Sequence, residues 1–438
     1  RRRAGREEVT YLHPLLEPAL RQTLGVPLFQ EQLMRIATDA AGFSGARADQ
    51  LRRAMGAKRS PERMEALKGD LMAGMKERGI DAPTRERIFE QLKGFADFGF
   101  PESHSFSFAH IVYASSWLKV HAPEHFYAAI LASQPMGFYS PATLVQDARR
   151  HGVRVVGPSV NDSLVDASVQ RVSEDESGES YSPGHPESLP SRGTVPLDVD
   201  ADLAVRIGLN QVRGLGAAAE RIVEARRQGA FTSQADLARR AHVSASAMEK
   251  LAMAGALECL GAGRREGAWA AGALAQPQAR GGQWQPFLPG TEIGSRVPEL
   301  PSLSEVERMR SDVATTGLTP GEHPFSYVRG SLPSSALRAG DLGQDLDGRI
   351  VDVSGVVTHR QRPHTGGGIT FLSLEDETGF VNVSVSVGAW KKFRRVCLES
   401  NALLVRGTLE WGDGAINVQA FRITPVDLPI NVRSRDFR

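Results

Sequence analysis

The hydrophobic repeat of this chain changes once, near residue 346, and that change limits the architectures open to it. Before it, apolar residues recur at helical spacing; after it, they alternate. A period of about 3.6 lines one face of a helix and a period of about 2 lines one face of a strand, so a helical body precedes an all-β module. In the helical part Leu33, Ile36, Ala37 and Ala40 form one stripe, Met64, Leu67, Leu71 and Met75 a second that Gly79 ends, and Ile88, Leu92 and Phe95 a third. Ser60-Pro61 is an N-cap and first-turn pair. The methionine stripe is read as core rather than as a partner groove. Over residues 105–120, Phe106, Phe108, Ile111, Val112, Tyr113, Trp117 and Leu118 cover nearly the whole circumference, so this helix is expected to be the buried axis of its region. Pro123 restarts a helix to Leu131, and residues 143–151 and 153–156 read as a helix and a strand.

The alternating part holds five strands, at 350–357, 369–374, 380–387, 403–409 and 416–423, with a helix at 389–397 between the third and fourth. That order is the order of an OB-fold, a module that grips single-stranded nucleic acid with basic loops and stacking rings. Arg360, Arg362 and His364 in the first long loop, Lys391, Lys392, Arg394 and Arg395 on the helix, and the rings of Phe371 and Trp411 are the candidate contacts.

Between the two parts lies Val212-Arg213-Gly214-Leu215-Gly216, followed by Ile222-Val223, which matches a helix-hairpin-helix. Two glycines let a tight turn present bare amides to a DNA phosphate, while Leu215 plugs the core. Such a motif touches backbone and not bases, so binding through Arg213, Gly214, Leu215 and Gly216 is expected to be sequence-independent. A second copy, Leu251-Ala252-Met253-Ala254-Gly255-Ala256-Leu257, has one glycine, precedes Arg264 and Arg265, and is read as structural.

At 438 residues, with 41% apolar and 24% charged residues, the chain suits about three globular domains. No apolar run is long enough to span a membrane, and two distant cysteines, Cys259 and Cys397, favour a reducing cytoplasm over a disulfide framework or a zinc knuckle. His121 and His125 have a zinc-helix spacing, but Pro123 interrupts them and no third ligand is close. The net charge of +1 conceals an asymmetry: residues 173–202 hold eight acids against Arg192, leaving +8 on the remainder, a balance that fits nucleic acid. Asp198-Val199-Asp200 and Asp345-Leu346-Asp347 are read as solvated acids, since neither ends an apolar strand. Arg1 is not a natural start, so the chain reads as a fragment.

Two helix ends stand out for phosphate. Residues 49–54 read as a helix closed by Gly56, with Arg52, Arg53, Lys58 and Arg59 crowded at its end. At Phe98-Gly99-Phe100-Pro101-Glu102-Ser103-His104-Ser105, Pro101 is pre-set for a first helical position, and the amides after it are expected to receive a phosphate.

With His13-Pro14-Leu15-Leu16-Glu17-Pro18, Phe29-Gln30-Glu31-Gln32-Leu33-Met34 and Trp117-Leu118-Lys119, these segments make residues 25–163 resemble the fingers of bacterial C-family DNA polymerases, the polymerase III alpha type. Pro101-Glu102, where replicative members carry Asn-Lys, and the ending Ser434-Arg435-Asp436-Phe437-Arg438 resemble the error-prone, damage-tolerant branch. The resemblance implies that Arg52, Arg53 and Lys58 hold a dNTP triphosphate, and that Ser103 and His104 lie near the nucleotide. It implies a DNA primer-template as partner, with a sliding clamp or accessory repair polymerase proteins as further partners. Magnesium would be bound by palm carboxylates outside this chain, which supplies no catalytic residue and no metal ligand. Gln234-Ala235-Asp236-Leu237 begins like a clamp peptide but continues Ala238-Arg239, which chance explains; Gln283-Trp284-Gln285-Pro286-Phe287-Leu288 is a degenerate candidate.

The expected fold is multidomain α+β: helical fingers at 1–135, a small α/β extension at 136–172, an acidic disordered insertion at 173–202, a tandem helix-hairpin-helix domain at 203–275, a linker with a short helix at 276–345, and a five-stranded OB-fold barrel at 346–430. The expected function is that of the C-terminal part of an error-prone DNA-directed DNA polymerase, in repair and translesion synthesis. The alternative is a non-catalytic DNA-binding adaptor.

Overall fold

The helical stripes of the first part become, in a computed structural model, α1 (Glu17–Leu20), α2 (Gln30–Ala41), α3 (Gly45–Ala54), α4 (Ser60–Glu77) and α5 (Ala82–Phe95). The structure describes residues 1–54, 60–95, 100–171, 196–274, 298–363, 366–412, 415–430 and 434–437. It divides into two units, Arg1–Ser116 and Trp117–Arg438. In the first unit Leu16, Leu20, Leu33, Ile36, Leu51, Phe89 and Leu92 pack with Met64, Leu71 and Met75, so the methionine stripe is core, as its periodicity requires. Gly74 allows α4 to close onto α2: a Cβ there would lie 1.9 Å from the Ala41 carbonyl oxygen.

The next helix, α6 (Glu102–His121), spans the division between the units and overturns the expectation of a buried axis. It has no buried residue, and its large apolar side chains are exposed, from 45% for Leu118 to 74% for Tyr113. The physical reason is that α1 to α5 and the segments joining them fill the core of the first unit, so an apolar circumference does not by itself supply a neighbour.

The second unit begins with α7 (Pro123–Ala132) and α8 (Pro141–Arg150), which pack on a sheet of β1 (Val155–Val156), β2 (Ser168–Arg171) and β3 (Leu203–Arg206) in the order β1-β3-β2. β3 lies centrally, so residues on either side of the acidic stretch share one sheet. Residues 172–195, most of that stretch, lie outside the described residues. Residues just after them are pinned: the Asp198 amide donates to the Val120 carbonyl at 2.7 Å, and Asp198 meets His121 Nδ1 at 2.6 Å.

Helices α9 (Ala218–Arg226), α10 (Gln234–Ala241), α11 (Ala245–Met253) and α12 (Arg264–Leu274) surround a core of Val212, Leu215, Ile222, Leu237, Met248 and Leu251. α13 (Glu305–Thr316) starts from a capping box between Ser304 and Glu307 and packs on α11. After α14 (Ser326–Arg329) and the two-residue β4 (Ala336–Leu337) come β5 (Ile350–Gln361), β6 (Thr370–Glu375), β7 (Phe380–Val385), α15 (Val387–Glu399), β8 (Ala402–Gly412) and β9 (Ala415–Val426). Their pairings run β5-β6-β7-β9-β8 and return to β5, a ring with β7 and β9 parallel, around Val353, Leu372, Val383, Val405 and Val418. This is the five-stranded OB order with its helix in the expected place. A short β10 (Arg435–Phe437) pairs with the end of β5 and gave no periodic signal, being three residues long.

The OB ring is tied to the rest of its unit by buried ions. Glu375 on β6 accepts from Arg150 of α8 at 3.0 Å and from the Thr143 hydroxyl at 3.1 Å, and Arg329 reaches Asp376 and Glu377 at 2.9 and 2.8 Å. Burial pushes the Glu375 carboxyl up to about 7, against the pull of Arg150.

Candidate nucleic-acid interface

Arg52 and Arg53 end α3, and the structure brings them together. Asp49, one turn earlier, accepts from Arg52 Nε at 2.9 Å and from Arg53 Nε at 2.8 Å, a spacing set by the helix itself. The hydrogen bond from Arg52 holds the Asp49 carboxyl below its ordinary range, with the charge of Arg53 adding to it. Both guanidiniums stay exposed beside a partly exposed carboxylate. Sequence reasoning named the arginines and missed Asp49, although its i, i+3 and i, i+4 spacing was the signal. Lys58 and Arg59 lie outside the described residues.

At the start of α6 the expected phosphate site is partly taken. The Glu102 amide donates to the Glu31 carboxylate of α2 at 2.8 Å, and Gln30 N bonds the Phe100 carbonyl at 3.1 Å. A carboxylate at a helix N-terminus does the work of a phosphate there, which corrects the picture of free amides. Ser103 and His104 remain exposed, with His104 between Phe100 and Phe108 at centroid distances of 5.0 and 4.4 Å.

The two hairpins differ in what lies over their glycines. In the first, Gly214 and Gly216 have φ of +77° and +50°, and Leu215 is buried, a plug rather than a DNA contact. Lys250 Nζ lies over Gly214, 2.4 Å from where a Cβ would stand, and the positive φ of this residue favours glycine. Among the described residues nothing accepts from the Gly216 and Ala217 amides, and α9 starts without a side-chain cap, the arrangement an anion completes. Arg213, by contrast, is exposed but engaged by α13: its amide donates to Thr315 O at 2.8 Å and its guanidinium to Ala314 O at 3.1 Å, satisfying the last carbonyls of that helix. In the second hairpin Gly255 has φ of +79°, and Arg264 crosses it to reach Glu258 at 2.9 Å, Met253 O at 3.2 Å and Asp312 at 2.5 Å. Arg265 pairs with Glu307 at 2.8 Å. The second copy is locked from above by α13, and its structural role follows.

On the OB ring the expected contacts separate. Arg360 is buried, with Nε donating to Cys397 O at 2.6 Å and its terminal nitrogens to Ser400 O at 2.8 Å and to Ser434 and Asp436 of the last strand. A bulge between Val357 and His359 reverses the alternation of β5 and turns Arg360 inward, which removes it from the interface. Arg362, Lys391 and Lys392 are exposed, Arg362 lying 5.8 Å from the Trp390 ring. Phe371 is 39% exposed on the outer face of β6. Trp411 packs half-buried against the ring core, and its amide donates to Asp347, which stays exposed. His364 lies outside the described residues, as does the 283–288 clamp candidate. Among the described residues no cluster of His, Cys, Asp or Glu can hold a metal ion, and no helix is long and apolar enough to cross a membrane.

A helical unit with an exposed arginine pair, a glycine hairpin with open amides and an OB ring are the three modules of this chain. Known families agree segment by segment. Residues 1–79 match the bacterial DNA polymerase III alpha subunit finger domain, 152–267 a helix-hairpin-helix motif, and 351–426 an OB-fold nucleic acid binding domain. The chain belongs to the bacterial C-family DNA polymerases, on the branch of those named error-prone. It is 47% identical over its whole length to error-prone DNA polymerases of Mycobacterium bovis and Nocardia farcinica, of which it covers 37% and 36%, and 44% identical to that of Corynebacterium glutamicum, of which it covers 38%. It thus spans well under half the length of these relatives.

Proposed function

We propose that this chain is the nucleotide- and DNA-gripping portion of an error-prone DNA-directed DNA polymerase that acts in repair and translesion synthesis. The observation that carries the reading is identity of 47% from end to end with relatives so named, across a finger, a hairpin and an OB segment in one order. In this reading the Arg52–Arg53 pair exchanges Asp49 for the triphosphate of an incoming dNTP, with Lys58, Ser103 and His104 close to the nucleotide. The Gly214–Gly216 turn, with Lys250, takes a phosphate of duplex product. Arg362, Lys391, Lys392 and Phe371 follow the single-stranded template, and a sliding clamp or accessory repair polymerase protein completes the assembly.

Joining a nucleotide to a primer uses metal ions held by converging carboxylates, magnesium being the candidate. In this reading carboxylates outside this chain hold the ion, and these side chains grip the nucleotide and the DNA. Primer extension by the isolated 438 residues with magnesium tests the division of labour: binding of primer-template without synthesis is expected, and robust templated synthesis refutes it.

A further inference from the structure

The outer face of β5, β6 and β7 carries a polar row that the contacts above do not use. His359, Ser373 and Asn382 are direct cross-strand partners, so their side chains stand side by side across three strands. Over this row lies the loop before α8. Phe138 stacks on His359 at 5.7 Å with an interplanar angle of 28°, its carbonyl meets His359 Nε2 at 2.7 Å, and Tyr139 meets the same imidazole edge-on at 6.4 Å. Arg435 of β10 fixes the loop from behind through the Met136 and Gly137 carbonyls. Loop and sheet enclose a cavity of about 490 Å³, within the range of roughly 300–1,000 Å³ seen for small-ligand sites.

The walls and floor have distinct chemistry. Phe126, Phe138, Tyr139 and Phe380 supply ring faces, and Phe138 and Tyr139 are half exposed. Gln361, Ser373 and Asn382 line the cavity with amide and hydroxyl groups that have no side-chain partner among the described residues. At the floor Lys119 donates to Asp147 at 2.9 Å and the Tyr127 hydroxyl to the same carboxylate at 2.7 Å. The floor therefore carries no net charge. Burial opposes the Asp147 charge, but Lys119 and Tyr127 outweigh it and keep this carboxyl below its ordinary range.

Flat apolar walls, donors and acceptors on one edge and an uncharged floor suit a planar heteroaromatic ring with polar edges. We propose that this cavity takes one unstacked base of single-stranded nucleic acid, its face against Phe138 and Tyr139 and its edge on the Ser373–Asn382 row. OB modules use the face of their second and third strands for such ligands, and here that face is roofed, so one base is drawn out of the strand into a pocket rather than laid on an open sheet. The inference rests on the reading of the OB segment as the single-strand-binding part.

The test uses the whole 438-residue chain and an oligothymidylate bearing one 5-iodouracil. Photocrosslinking is expected at Phe138, Tyr139 or Phe380. Phe138→Ala is expected to weaken oligothymidylate binding roughly tenfold, the scale of one lost stacking partner, and Asn382→Ala roughly fivefold, the scale of one lost hydrogen bond, with duplex binding unchanged. Phe138→Tyr is expected to restore it, and thermal unfolding checks that each variant is folded. Binding with crosslinks confined to Phe371, Trp411 or α15, and with Phe138→Ala neutral, overturns the pocket while leaving the OB reading intact. Failure of the unaltered chain to bind oligothymidylate overturns both.

Discussion

Arg52 and Arg264 each meet an aspartate within hydrogen-bond distance, and the two pairs do opposite work. Asp49 lies one turn before Arg52 on the accessible face of the same helix, so their contact forms and breaks at little cost. Asp312 comes from another helix and meets Arg264 where both side chains are nearly inaccessible, 10% and 7%. There neither charge has water to fall back on. In the proposed reading the first pair is a landing place for a phosphate and the second is a rivet, distinguished by burial and by whether one helix or two supply the partners.

The largest expected effect breaks the rivet. Asp312→Ala leaves Arg264 charged and buried without its main partner, and should cost about 3–5 kcal/mol in denaturant unfolding. A loss near zero would make the two pairs equivalent and dissolve the comparison.

The pH dependence sharpens it. Burial pushes the Asp312 carboxyl up to about 6, so across the interval from its ordinary 3.8 to about 6 the folded chain binds more protons than the unfolded one. Stability from this group is therefore greatest below that interval and falls as pH rises through it, by about 3 kcal/mol at most. Asp312→Asn should flatten this slope in melting curves. Asp49 has the opposite sign: its contribution is present above its ordinary range and lost as pH falls through the lowered value.

Smaller effects separate the hairpins. Lys250→Ala should lower duplex affinity several-fold and reduce the salt slope by about 1, as expected for one lost phosphate contact. Arg264→Ala should melt the domain earlier without changing that slope. Titration of duplex binding against salt decides between them. In the complete polymerase, Arg52→Ala should raise the dNTP KM roughly tenfold, on the scale of a charge-assisted hydrogen bond, and Asp49→Asn should lower it slightly. Asp49→Asn is expected to leave Tm unmoved, and a large drop would turn the landing place into a second rivet.

Much of the fold was legible because it is written in local patterns. The helical stripes, the five alternating strands with their helix, and the Gly214–Gly216 turn needed only periodicity and the freedom of glycine at positive φ. The Arg52–Arg53 pair was legible for the same reason, as one turn of helix sets its geometry. Errors arose where an apolar or basic residue was assigned a setting that its neighbours in sequence do not determine. The circumference of α6 suggested burial and is exposed, and Arg360 suggested a loop contact and is buried by a bulge.

The sequence by itself determined which segments are helix or strand, their order, and the family to which they belong. Tertiary structure decided which cations remain available to a ligand. The partners that close those choices lie far along the chain: Asp312 is 48 residues from Arg264, Glu31 is 71 from Glu102, and Ser434 is 74 from Arg360. A backbone preference is settled within a turn or two. The availability of a charge depends on what folds over it, and only the packed molecule specifies that.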